Sequence, residues 1–180
     1  MSTLYSTTMA SPIRPLTIIA NDHAVVAIAW DDGAVDPKLG DVTDIDDPEA
    51  TAATDDATGA ETARVVLEQA VAQLEEYFAG ARTEFDLPLE PVGTEFQQQA
   101  WQALRRIPYG ETISYGEQAV LLGDKNKSRA VGAANGKNPI PIVVPCHRVV
   151  GSNGHLTGFA GGLDTKAWLL DHEFRVRTGG

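Results

Sequence analysis

The stretch from Ile142 to Gly151 (Ile-Val-Val-Pro-Cys-His-Arg-Val-Val-Gly) restricts the fold more than any other, because it sets three reactive side chains between two apolar runs. Aliphatic runs of this kind read as buried strand or strand-like backbone. Cys146 is the only cysteine in the 180 residues. A lone cysteine in such a place is most often an inert small hydrophobe. His147 and Arg148 beside it argue otherwise, since burying two polar groups carries a cost that an inert site would not need. The stretch is therefore read as holding a working thiol. A thiol with a pKa of about 8.5 is only slightly ionised at neutral pH and needs a nearby base or cation. His147 is the obvious base. Neighbours on a strand face opposite ways, so the two can cooperate only across a turn or through a bridging water. A base so placed needs an acceptor to fix its tautomer, and Glu173, near the end of the last helical pattern, is the candidate.

Composition narrows the classes. An apolar share of 43% and a charged share of 22% are those of a globular chain. No apolar run reaches the roughly 20 residues that span a bilayer. The start lacks a basic stretch followed by an apolar core, so no secretory signal is expected. One cysteine cannot close an internal disulfide, and C-x-x-C spacing is absent, so neither a disulfide framework nor a metal site is expected. A reducing, cytoplasmic location is the expectation. The net charge of −11 is unevenly spread: residues 1–90 carry 4 basic and 18 acidic side chains, whereas residues 91–180 carry 10 and 7. A polyanion would meet the second half. Between Lys125 and Arg148 there are five basic residues (Lys125, Lys127, Arg129, Lys137, Arg148) and no acid, a pattern that favours phosphate contact.

Taken in order, residues 1–15 read as a frayed start, and Leu16 to Ala20 with Ala24 to Trp30 as a hairpin turning at Asn21-Asp22-His23. Residues 31–60 are acidic with few aliphatics and read as a mobile loop. Glu61 to Ala79 is the clearest helix, stopped by Gly80, and Thr83 to Leu89 alternates like an edge strand. Pro91 and Gly93 mark a linker, giving domains at 1–91 and 92–180. Thr94 and Gln97 form a capping box ahead of an apolar face that includes Trp101, read as core. Ser114 caps a helix from Tyr115 to Leu122; after Gly123 a second runs from Arg129 to Asn135, a helix-turn-helix pattern. The second helix is otherwise small (Ala130, Gly132, Ala133, Ala134), which suits either a tight helix–helix contact or close approach to a partner. Five glycines between Gly151 and Gly162 permit close backbone approach to a ligand or a merely mobile loop. Asp164 is read as capping a last helix to Glu173, with a loose tail beyond.

The run Pro145-Cys146-His147-Arg148-Val149 resembles the signature of the methylated-DNA–protein-cysteine methyltransferases, the O6-alkylguanine-DNA alkyltransferases. The likeness continues through Gly93-Thr94-Glu95-Phe96-Gln97, Ile107-Pro108-Tyr109-Gly110, Ser114-Tyr115-Gly116, Arg129-Ala130-Val131-Gly132 and Asn138-Pro139. Downstream it includes Gly161-Gly162-Leu163, Lys166, Trp168-Leu169-Leu170 and His172-Glu173. It is dense from about Leu74 to Glu173 and weak before that.

The resemblance implies an α/β chain: a small N-terminal RNase-H-like α/β domain and a mostly helical, winged-helix-type C-terminal domain for DNA binding and catalysis. It implies single-turnover DNA repair, an alkyl group passing irreversibly from the O6 oxygen of guanine, and from the O4 oxygen of thymine, to Cys146. His147 acts through water as base, Glu173 orients it, and Asn138 braces the turn. Tyr115 meets the flipped nucleotide and helps neutralise the departing guanine. Arg129 is the wedge replacing the extruded base, with Ala130, Gly132 and Ser152 at the DNA. Val149, Phe159 and Ala160 line the substrate pocket. No cofactor and no metal are implied, the zinc cysteines of some relatives being absent; the partner is double-stranded DNA carrying alkylated guanine, bound by a monomer. Phe159 stands where many relatives carry Tyr, which removes a hydroxyl near the pocket. Three other readings compete: a non-enzymatic binder of alkylated DNA, a helix-turn-helix transcription factor, and a cysteine hydrolase. Retention of the Cys-His-Glu set, the lack of an Asn, Gln and Arg set for major-groove reading, and the basic second half disfavour them in turn.

Overall fold

The computed structural model describes residues 2–30 and 35–179, in two compact units, residues 1–91 and 92–180. The first unit is built on a four-stranded sheet. Strands β1 (Leu4–Met9), β2 (Leu16–Ala20), β3 (Val25–Trp30) and β4 (Val42–Asp44) lie in the order β3-β2-β1-β4. The first three pair antiparallel, and β4 joins β1 in parallel with Leu4 opposite Val42. The β2–β3 turn is closed by Asn21, whose side-chain oxygen accepts from the amides of His23 and Ala24. After a short helix α1 (Pro48–Ala52), the long helix α2 (Ala57–Phe78) packs on β1 and β2 and buries Ala63, Val66, Leu67, Ala70, Leu74 and Tyr77. It ends at Gly80 (φ 77°), where the Ala81 amide donates to the Glu76 carbonyl and that of Gly80 to Tyr77, a left-handed stop that glycine adopts without strain.

Three expectations fail in this unit. Residues 4–9 are not frayed but form β1, an inner strand of the sheet. The acidic loop expected over residues 31–60 is ordered structure where it is described; residues 31–34 lie outside the described residues. Its few aliphatics suffice because they are placed on one target: Val35, Leu39 and Val42 cover Ile19, Val26 and Ala27. Its acids act as caps, Asp36, Asp47 and Asp56 each accepting from backbone amides at a helical start, a contribution of about 1 kcal/mol each. Thr83 to Leu89 forms no strand. Only Leu89 bridges Val25, held by bonds from the Val25 amide to Pro88 and from the Glu90 amide to Val25.

The second unit is mostly helical. Helix α3 (Glu95–Leu104) opens with the Thr94–Gln97 capping box, both reciprocal bonds present, and buries Ala100, Trp101, Ala103 and Leu104. Trp101 is core, its indole N–H donating to the Ala134 carbonyl at 2.8 Å. A two-residue strand β5 (Ile113–Ser114) leads into α4 (Tyr115–Leu121), where Ser114 and Glu117 form a second capping box. A turn through Lys125–Lys127 connects to α5 (Ser128–Gly136). A buried amide pair locks α4 to α5: Gln118 and Asn135 exchange bonds of 3.0 and 2.7 Å, and Gln118 also donates to Ala100 of α3. Strand β6 (Val149–Val150) pairs in parallel with β5, Ile113 opposite Val149. The last helix, α6 (Leu163–Thr178), starts after Gly162 with no side-chain cap; Asp164 sits in its first turn. It runs past Arg175, so the loose tail expected there is helix.

Candidate active site

The segment before Cys146 is a tight turn rather than the strand or strand-like backbone that its apolar runs suggest. Pro139, Pro141 and Pro145 have no amide hydrogen to give to a ladder. The Val144 amide instead closes back on Ile140 and that of Val143 on Pro141. Asn138 clamps the loop from inside, donating to the Val144 carbonyl at 2.8 Å and accepting from the Ile140 amide at 3.0 Å. Within it Ile142 has φ 74° while fully buried. A β-branched residue in that region stores roughly 1–3 kcal/mol of strain, so the loop holds its shape only while its packing and clamp persist. Asn138→Ala removes both bonds, leaving the Ile140 amide without its acceptor and the Val144 carbonyl held by the Cys146 amide alone. Denaturant titration is expected to show a loss of about 1–3 kcal/mol, and single-turnover kinetics a fall of about 10- to 100-fold as the thiol is misplaced.

Cys146, His147 and Arg148 form one 3-10 turn, and all three are buried. A turn, unlike a strand, does not send adjacent side chains to opposite faces. Burial pushes the Cys146 thiol up, opposed by a hydrogen bond from Asn138 and the charge of Lys166. His147 Nε2 lies 2.7 Å from Glu173 Oε2, while its Nδ1 is buried with no hydrogen-bond partner among the described residues. With Glu173 ionised, Nε2 carries the proton and Nδ1 is an open acceptor. Burial lowers the imidazole, and the opposing pull of Glu173 does not restore it. Glu173 in turn takes a fork from Arg148, Nε to Oε1 at 2.8 Å and Nη2 to Oε2 at 3.0 Å, and the Gly110 amide at 3.3 Å. Burial pushes this carboxyl up, but the charges and bonds of His147 and Arg148 outweigh it and hold it far below the usual carboxylate range.

The parallel β5–β6 pair sets the start of α4 beside the residues that follow Arg148. Tyr115 therefore stands over the glycine-rich loop: its hydroxyl donates to the Thr157 carbonyl at 3.3 Å and accepts from the Thr157 hydroxyl at 3.0 Å. Lys166 ties the same parts together, its buried ammonium donating to Val149 at 2.6 Å and Thr157 at 2.8 Å. Val149 is fully buried, Phe159 half-buried, and Ala160 and Ser152 exposed. On α5, Arg129 and Ala130 are exposed, and Gly132 lies beside the Tyr115 ring. With Ala133 also exposed, the small outer face of α5 is open, not a helix–helix contact within this unit.

Arg148 corrects the charge count. Grouped above with phosphate-contacting residues, it is 6% exposed and bound to Glu173 and to the Ile107 carbonyl, out of reach of a phosphate. Lys166 and Arg148 are the site residues whose roles the sequence reading missed. The available signal was spacing: Lys166, Leu169 and Glu173 fall at i, i+3 and i+7, so two charges share an apolar stripe and must have buried partners.

A sheet unit followed by a helix-turn-helix unit, the latter bearing one buried thiol beside an imidazole–carboxylate pair, defines a DNA-binding protein with nucleophilic chemistry of its own. Residues 4–91 match the family model described as 6-O-methylguanine DNA methyltransferase, ribonuclease-like domain, and residues 95–175 match that family's DNA binding domain. The chain is 46% identical over 168 residues to the methylated-DNA–protein-cysteine methyltransferase of Mycolicibacterium paratuberculosis, covering 93% of this chain and 91% of that one. It is 59% identical over 105 residues to the protein of that name from Methanosarcina acetivorans, 58% of this chain and 67% of the other. The crystal structure of the Mycobacterium tuberculosis O6-methylguanine methyltransferase superposes with a TM-score of 0.79 at 42% identity, over 96% and 93% of the two chains. A structure of the Mycobacterium tuberculosis protein in complex with DNA gives the same TM-score and identity over 96% and 94%. The chain belongs to the 6-O-methylguanine DNA methyltransferase family, whose members move an alkyl group to a cysteine. Among the described residues no helix is long and apolar enough to cross a membrane.

Proposed function

We propose that the chain repairs double-stranded DNA by taking the alkyl group of O6-alkylguanine, and of O4-alkylthymine, onto Cys146. The observation that carries this reading is the buried turn in which Cys146 adjoins an imidazole held by Glu173 at Nε2 and open at Nδ1. The Cys146 proton passes through a bridging water to His147 Nδ1. Sulfur attacks the alkyl carbon, the S–C bond forms as the C–O6 bond breaks, and the electron pair leaves on guanine. That anion is neutralised by a proton, with the Tyr115 hydroxyl at hand. Asn138 braces the turn throughout.

The target atom lies inside the duplex, so the nucleotide must be extruded at a cost of a few kcal/mol. Arg129, exposed at the start of α5, takes the vacated place in the stack. Ala130, Gly132 and Ser152 allow the backbone to come close to the DNA, and Val149, Phe159 and Ala160 border the pocket that receives the base. Phe159 brings no hydroxyl, so side-chain contact with the guanine oxygen there is lost. A thioether does not hydrolyse as a thioester does, so each molecule, acting as a monomer, repairs one lesion. A lone unpaired thiol of this kind suits a reducing cytoplasm.

Cys146→Ala tests the assignment. The variant is expected to bind a methylated duplex about as well as the parent and to remove no methyl group, by gel shift and by chromatography of the digested DNA. Methyl removal by the variant would overturn the role of Cys146.

A further inference from the structure

Arg148 is held at every nitrogen-bearing face. Its fork grips both oxygens of Glu173, Nη1 donates to the Ile107 carbonyl at 2.8 Å, and the guanidinium lies 5.5 Å from the Tyr109 ring centre. A buried cation so fixed is costly to maintain, and an oriented imidazole does not by itself require it. A carboxylate alone would orient His147 through the Nε2 hydrogen bond. It would also press its whole charge on the ring and draw a proton onto it. With the guanidinium on the same two oxygens, His147 meets a largely neutralised pair: the orientation stays and most of the field is cancelled.

We propose that Arg148 is a positioning residue for alkyl transfer, acting through Glu173 to set the pH at which the acid limb of the reaction lies. This rests on the roles given above to Cys146 and His147. The charged groups acting on His147 are Glu173 and Lys166 from α6 and Arg148 from its own turn, where Cys146 is its neighbour; Tyr109, from the segment after α3, acts on Glu173 and Arg148. Both Arg148 and Lys166 act against protonation of the ring, and Glu173 favours it. Taking the positive charge from Arg148 leaves Glu173 to hold the imidazole proton more tightly. That change moves the acid limb to higher pH.

The test is the single-turnover rate with free O6-benzylguanine between about pH 5 and 9, which removes DNA binding from the measurement. For R148Q the acid limb is expected to move up by about one pH unit, so the rate falls about tenfold at pH 6 and much less at pH 8.5. R148K keeps the charge but loses the fork. It is expected to keep the limb within about 0.3 unit of the parent while lowering the plateau. An R148Q profile lowered equally at every pH, in a protein with parental circular dichroism, overturns the proposal and leaves Arg148 as scaffold. Where R148Q does not fold, R148K carries the test: a limb that stays supports the proposal, and a limb displaced by a unit overturns it. Failure of the underlying reading is distinguishable, since the parent would then gain no benzyl mass at any pH.

Discussion

Glu173→Ala is expected to lower the stability of the second unit by about 3–5 kcal/mol, the cost of leaving a buried cation without its partner. Glu173 accepts from His147, from two nitrogens of Arg148 and from the Gly110 amide, and it is buried. Its removal strands a guanidinium that is 6% exposed and frees the His147 ring to turn. Since a domain holds only about 5–15 kcal/mol in total, the variant should unfold at markedly lower urea. The same group gives a pH dependence with a fixed sign. Its folded carboxyl is held far below the unfolded value of about 4.3. It therefore contributes stability that is fully present above that value and lost as pH falls toward the folded one. Urea midpoints measured downward from pH 6 should drop for the parent below about pH 4.5. They should drop less for Glu173→Gln, which has no charge to lose. Parallel curves for the two proteins would mean that other carboxylates govern acid unfolding.

Arg129→Ala is expected to slow repair of alkylguanine in duplex DNA by about 10- to 100-fold, equivalent to about 1.4–2.8 kcal/mol of the extrusion cost. The rate with the free alkylated base should change less than twofold, since no stack needs refilling. Arg129 is exposed at the start of α5 and lies outside the Cys146–His147–Glu173 network, so fold and thiol chemistry should survive its loss. The readout is the ratio of the two single-turnover rates. Equal slowing on both substrates would remove Arg129 from the wedge role.

Features set by neighbours in the chain were legible from the sequence. The Thr94 capping box, the Ser114 cap, the Asn21 turn and the Gly80 stop each need only three or four adjacent residues, and each is present. Features set by distant partners were not. The acidic segment after Trp30 looked unable to fold because its composition was averaged, whereas Val35, Leu39 and Val42 each land on one small patch of sheet. The β1 strand looked like a polar tail because its partners, β2 and β4, come later in the chain. In the active-site region the Cys-His-Glu set can be named, and the resemblance implies a turn braced by Asn138. The apolar runs around Cys146 by themselves read as strand or strand-like backbone, because their pattern does not show the bonds that Asn138 makes across the turn. Arg148 was counted by charge, and only its depth separates a buried counterion from a phosphate contact.

Cys146 as the one permanent acceptor is the proposal on which the other roles depend. Its most direct test is the mass of the intact protein after incubation with excess duplex carrying O6-methylguanine, followed by peptide mapping. The expected result is a gain of a single methyl group per molecule, confined to the peptide containing Cys146, with the lesion consumed in equal amount and no further. An unchanged protein mass while lesions continue to disappear, or a methyl group on any other peptide, would contradict it.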